Sequence, residues 1–262
     1  MGWLRDWKRK RVLDRHAVDD RLWTGVATSL PFLNGLSPDE EKQLKDMAVI
    51  FLAEKEVTLL AGVELRDRDR LSIAIQACLP ILQLGLDWYD GWVGILVYPG
   101  DFRVKHEEVD EDGVLHEWED ELAGESWEGG PVVLSWDAVS ESPGVAKGGA
   151  NVVIHEFAHK LDMRNGEADG TPPLHAGMEV AQWKAALEEA YTGFCDAVDR
   201  NKDTWLDPYA AESPAEFFAV VSEAFFEAPW ELQRRYPDLY AQFVLFYRQD
   251  PAKRLPAPAI DP

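Results

Sequence analysis

The sequence predicts an α+β fold, mostly helical, with a small central sheet. Apolar residues recur at helical spacing near both ends, and the middle breaks into short aromatic and β-branched runs. No repeat and no long linker divides the 262 residues, which suffice for one sizeable domain. The expected organisation is a charged N-terminal segment, 1–20, and a single domain, 21–250, followed by a Pro-rich tail, 251–262. Within the domain a helical part spans about 21–90, a sheet about 91–140 and a second helical part about 145–250.

The first stretch, MGWLRDWKRKRVLDRHAVDD, is charged throughout and carries no apolar core of a secretory signal. Its basic cluster, Lys8 to Arg11, reads as a solvated and frayed terminus. Ser37-Pro38-Asp39-Glu40 opens a helix: a Ser cap, Pro at the first helical position and Glu three residues after the cap. Leu44, Met47, Ala48, Phe51 and Leu52 then give that helix one core-facing side. A second apolar helix covers Leu71 to Leu84, with Pro80 as a kink or break. The runs WVGILVYPG, FRVKHEEV, GVLHEWEDEL and GPVVLSWDAV read as strands of one sheet. Helices follow over Val152 to Arg164, Glu179 to about Val198, Ala215 to Glu227 and Glu231 to Arg248.

Composition narrows the function. The net charge of -22 repels phosphate backbones and anionic lipid, which argues against direct nucleic-acid binding. The longest apolar runs, MAVIFLA and LPILQLGL, fall far short of the roughly 20 residues that cross a bilayer. Cys78 and Cys195 sit in apolar helical segments and read as buried thiols, not a disulfide, which suits a reducing cytoplasm.

The most informative stretch is NVVIHEFAHKLDMRNG. On a helical wheel His159 falls roughly 40° from His155, and Asp162 lies on the same stripe. Ile154, Ala158 and Leu161 form a neighbouring apolar stripe that anchors the helix. Two imidazoles four residues apart can share one metal ion, and nitrogen donors suit zinc. Glu156, about a quarter turn away, is placed to act on water beside that ion as a general base. The competing account is a buried helix with two incidental, hydrogen-bonded histidines. The strength of the helix pattern and its apolar stripe favour the metal.

A catalytic zinc usually takes three protein ligands. The metzincin pattern needs glycine and histidine where Asp162 and Asn165 stand, so it is excluded. Three ligands from one straight helix cannot surround an ion well. Asp162 is therefore assigned a supporting role, holding an imidazole or nearby backbone. His106 and His116 lie in charged strand segments and His175 in a loop, which suits surface roles. In the later helix Glu216, Val220, Glu223 and Glu227 share a narrow stripe among aromatics. Ser213-Pro214-x-Glu216 is also a capping box, so spacing leaves Glu216 and Glu223 both open as the third ligand.

These segments resemble the Mlc titration factor A family of bacterial zinc peptidases, which shares its catalytic core with the anthrax lethal factor protease domain. The resembling stretches are NVVIHEFAHKLDMRNGEADGTPPL and DPYAAESPAEFFAVVSEAFF, with IAIQACLPIL, WYDGWVGILVYPGDF and GPVVLSWDAV upstream. The similarity runs from about Trp23 to Tyr247. It implies a zincin-like metallopeptidase with one Zn2+ per chain, held by His155, His159 and Glu216. It makes Glu156 the general base and Tyr209 a stabiliser of the oxyanion, and leaves Glu223 as a supporting acid. The strand around Val132 to Trp136 is then expected at the sheet edge, holding a peptide by strand addition. The resemblance further implies a cytoplasmic, aminopeptidase-like enzyme and a link to the Mlc transcriptional repressor, which family members sequester from DNA. A protein that only binds such a repressor is the rival reading.

Overall fold

The computed structural model of the chain describes residues 2–100, 102–109, 115–122, 124–126, 129–141 and 151–256. Its helices and strands follow in chain order: α1 (Gly2–Arg15), α2 (Asp20–Ala27), α3 (Pro38–Glu54), β1 (Glu56–Leu59), α4 (Asp67–Cys78) and β2 (Gly94–Tyr98). Next come β3 (Phe102–Val109), β4 (Leu115–Leu122), β5 (Gly124–Ser126), β6 (Val132–Ser135), α5 (Trp136–Glu141) and α6 (Val152–Asp162). Then α7 (Val180–Asp199), α8 (Pro214–Glu227), α9 (Pro229–Arg235), α10 (Pro237–Tyr247) and α11 (Pro251–Arg254) complete the chain. The predicted α+β class, largely helical with a small sheet, is what forms.

Helix α3 starts as its sequence dictates. Ser37 Oγ accepts from the Glu40 amide at 3.3 Å, and Glu40 Oε2 accepts from the Ser37 amide at 2.9 Å. Helix α4 begins earlier than expected, at Asp67, and stops at Cys78. Pro80 lies just beyond its end, so it terminates the helix instead of kinking it. The single helix expected over Glu231 to Arg248 is two, α9 and α10, parted at Tyr236-Pro237 for the same reason: Pro237 has no amide to continue the ladder.

The strands form two sheets, not one. In the main sheet the order is β1-β2-β6-β5, with β1, β2 and β6 parallel and β5 antiparallel to β6. Strands β3 and β4 pair only with each other, over eight residue pairs. Their sequences, FRVKHEEV and LHEWEDEL, are rich in charge and poor in the continuous apolar runs of β2 and β6. Strand β6 is therefore interior: all four residues are buried and both sides are paired. This corrects the expected edge position of Val132 to Trp136. The edges of this sheet are β1 and, beside β6, β5, and Trp136 already belongs to α5.

One expectation at the N-terminus also changes. The basic cluster is not frayed. It is part of α1, where Arg9 pairs with Glu54 and Asp87, each at 2.8 Å, and Arg5 pairs with Asp87 and Asp90. Acids on α3 and around the turn at Leu86–Tyr89 draw these guanidinium groups inward. Near the other end Arg254 donates to the carbonyls of Phe32 and Asn34 at 2.8 Å, tying α11 to the chain before α3. Residues 142–150 and 257–262 of the expected divisions lie outside the described residues.

Helices α3, α4, α6 and α8 enclose the core against the main sheet. Phe51, Tyr89, Trp92 and Phe157 cluster on one side of α6, and Phe218, Phe225, Phe243, Phe246 and Tyr247 cluster where α8 meets α10. Burial of that much aromatic surface fixes the α6–α8 contact, which is where the site forms. Among the described residues no helix is long and apolar enough to cross a membrane.

Candidate metal centre

Helix α6 is fixed at its start by Asn151, whose Oδ1 accepts from the Ile154 amide at 3.0 Å. Ile154, Phe157, Ala158 and Leu161 are fully buried and set the rotation of the helix. That rotation turns His155 and His159 toward α8, whose first turn carries Glu216.

The capping ambiguity at Glu216 resolves in the site's favour. Ser213 Oγ does accept from the Glu216 amide, at 3.1 Å. The Glu216 side chain does not complete the box. It lies 3.0 Å from His155 Nε2 and 3.4 Å from His159 Nε2. The two Nε2 atoms are 3.2 Å apart. Ligands about 2.0 Å from a tetrahedral ion stand about 3.3 Å from one another, so these three spacings fit the edges of such a site. His155, His159 and Glu216 thus form a group that could hold a metal ion.

The contact between these groups needs a positive centre, which a proton or a metal ion can supply. His155 Nδ1 lies 2.7 Å from Glu223 Oε1 and donates to it, which leaves Nε2 as a lone pair facing Glu216. Two lone pairs do not approach to 3.0 Å without a positive centre between them, either a second proton or a cation. Burial would make His155 less basic, yet its bonds to Glu216 and Glu223 push its pKa well above the ordinary value. Glu216 is likewise opposed by burial, and its contacts with His155 and His159 hold it far below the usual carboxylate range.

Glu223 is itself held by the Asn151 amide, so one residue both caps α6 and orients the acid behind His155. Asn151 Nδ2 also donates to Gln76 Oε1 at 2.8 Å and Glu227 Oε1 at 2.9 Å. Sequence reasoning passed over Asn151 and Gln76. An asparagine directly before a motif helix was the available signal.

Asp162 holds backbone, one of its two expected roles. Its Oδ2 accepts from the Gly170 amide at 2.7 Å, while Oδ1 and His159 Nδ1 have no hydrogen-bond partner among the described residues. Burial raises Asp162 to about 6. Gly170 has φ +78, and a Cβ there would lie 2.7 Å from the Pro214 carbonyl. Asp162 therefore ties the end of α6 to the start of α8 through a residue that only glycine fits.

Glu156 is 3% exposed, and burial raises its pKa. Its carbonyl accepts from Ser126 Oγ of β5 at 2.9 Å, and its Oε2 has no hydrogen-bond partner among the described residues. Tyr209 stands at the rim with its ring 6.2 Å from that of His155, and burial followed by the charge of Glu216 raises its phenol. His175 does not join the site: its Nε2 donates to the Phe246 carbonyl at 2.8 Å. His106 and His116 fall on β3 and β4, outside the main sheet.

Comparison with known proteins agrees with this geometry. Residues 4–248 match the model of a family described as glucose-regulated metallo-peptidase M90. The chain belongs to that family. Among curated relatives of this M90 chain, Mlc titration factor A of Salmonella arizonae is 40% identical over 251 residues, 95% of this chain and 98% of the relative. The proteins of the same name from Klebsiella pneumoniae strain 342 and Escherichia coli strain 55989 are 41% and 40% identical over 231 residues, each covering 87% of this chain and 86% of the relative. The M90 match spans every element that meets at the site, from α4 through α8, and supports a metallopeptidase.

Proposed function

We propose that this chain is a zinc-dependent peptidase of the zincin type with aminopeptidase-like specificity. The observation that carries this reading is the convergence of His155 Nε2, His159 Nε2 and Glu216 Oε2 at spacings that suit a tetrahedral ion. One Zn2+ held there supplies Lewis acidity to a peptide carbonyl and to water. Glu156 takes the proton from the attacking water and delivers it to the leaving amine. Burial suits it to that exchange, because it raises the carboxyl's pKa and so makes the carboxylate a better base. Tyr209 donates its hydroxyl to the developing oxyanion. Glu223 keeps His155 in the tautomer that presents Nε2. A peptide aligns along the exposed side of β5, not along β6.

Two free thiols, Cys78 and Cys195, fit a cytoplasmic location. The relatives' name supports a second reading, in which the chain binds an Mlc-like repressor and thereby withholds it from DNA. Glu156→Gln separates the two. Peptide hydrolysis falls by about 10²- to 10⁴-fold with metal content unchanged if the enzyme reading holds. A variant that hydrolyses peptides like wild type removes that reading and leaves repressor binding as the function.

A further inference from the structure

Strand β5 passes unusually close to Glu156. A Cβ placed on Gly124, the first residue of β5, would lie 2.3 Å from Glu156 Oε1, 2.6 Å from Cγ and 2.7 Å from Cδ. Separations this short do not occur between real non-bonded atoms, so any side chain at 124 and the present Glu156 conformer exclude each other. The backbone gives glycine no other reason to be there, because Gly124 is absent from the residues with positive φ. The requirement is space, and the space belongs to one carboxylate.

We propose that Gly124 is a positioning residue for Glu156, resting on the reading of Glu156 as general base. Three observations meet at this point. Ser126 Oγ bonds the Glu156 carbonyl at 2.9 Å and pins β5 against the middle of α6. Glu156 is 3% exposed, so strand and helix enclose it. The three atoms that crowd position 124 all belong to the Glu156 side chain, not to backbone. A methyl group there would therefore leave the fold standing and move the carboxylate, since the end of a glutamate side chain yields more readily than a paired strand. None of these three atoms belongs to His155, His159 or Glu216, so the first group a methyl meets is the Glu156 side chain.

The test is Gly124→Ala in the full chain, loaded with zinc. Misplacing a reacting group by about 1 Å costs on the order of 10²-fold, so kcat for peptide hydrolysis falls about 10²-fold. KM stays within about twofold, zinc content is unchanged, and a crystal structure of the variant shows the Glu156 carboxylate displaced. Wild-type kcat in Gly124→Ala, with Glu156→Gln inactive, overturns this proposal and leaves the peptidase reading intact. A raised KM with unchanged kcat also overturns it, by assigning Gly124 to substrate binding. If Glu156→Gln itself hydrolyses normally, the peptidase reading fails, and the crystal structure alone decides: an unmoved carboxylate overturns the proposal. Should Gly124→Ala fail to fold, Glu156→Ala added to it removes all three crowding atoms. Recovery of the wild-type melting temperature in the pair supports the proposal, and no recovery overturns it.

Discussion

Helices α6 and α8 face each other across the site and contribute in opposite ways. Helix α6 sets a polar stripe of His155, His159 and Asp162, with Glu156 about a quarter turn away, beside a fully buried apolar one. Helix α8 is buried almost all round. Between Ala215 and Phe226, Glu216 alone is only partly buried, and Glu223 is the one fully buried acid. The first helix supplies imidazoles, and the second supplies the negative charge that orients and closes the group. The two histidines depend on α8 unequally. His155 meets both Glu216 and Glu223, whereas His159 meets Glu216 and has an unpartnered Nδ1. The lesson is that the motif helix alone does not make the site. Its register against α8 does.

The largest effects come from breaking the α8 side. Glu216→Ala removes a donor and, in that variant, zinc is lost on dialysis that leaves wild type loaded. Glu223→Ala removes the acid behind His155, and zinc affinity falls about 10- to 100-fold without abolition. Both are read by metal analysis and competition with a chromophoric chelator. Equal losses in the two variants would erase the distinction drawn between donor and orienting acid.

These two glutamates also show where the sequence stopped being legible. The i, i+4 histidines were readable because a helix repeats its geometry within one element. So were the start of α3 and the outline of α8, each set by local capping and proline chemistry. Glu216 was ambiguous because Ser213-Pro214-x-Glu216 satisfies a capping box and a site equally well in one dimension. Only the approach of α6 tells where the carboxylate goes. The sheet failed for a related reason. Strand β1 is four residues inside a charged stretch, and the exchange of edge from β6 to β5 depends on pairing between segments that local pattern does not encode.

A smaller effect tests the joint between the helices. Asn151→Ala loses the α6 cap, worth about 0.5–2 kcal/mol, and strips donors from Gln76 and Glu227, a further cost of about 1–3 kcal/mol. Urea unfolding should show a lower midpoint with an unchanged slope. Asn151→Asp keeps the capping oxygen but sets a third carboxylate against Glu223 and Glu227, so it falls below the alanine variant. If Asp matched wild type, the cap alone would explain the residue, and α6 would not rely on α8 there.

The smallest effect leaves α8 out. Lys160 is 4% exposed, donates to the Gly130 carbonyl at 2.9 Å and stands 5.2 Å from the Trp92 ring centre. Burial lowers its pKa from 10.5 to about 8, with the charge of Glu156 acting in the opposite direction. Between those two values the unfolded chain binds the proton that the folded chain has released, so stability rises as pH increases from about 8 to 10.5. Below pH 8 both states are protonated and the cost of burying the charge is present in full. Lys160→Met removes the ionisation, so the stability difference between variant and wild type narrows across that window. Chemical unfolding of both proteins at pH 7.5 and 10 measures it, and a difference that stays constant with pH would mean the ammonium is solvated in the folded chain.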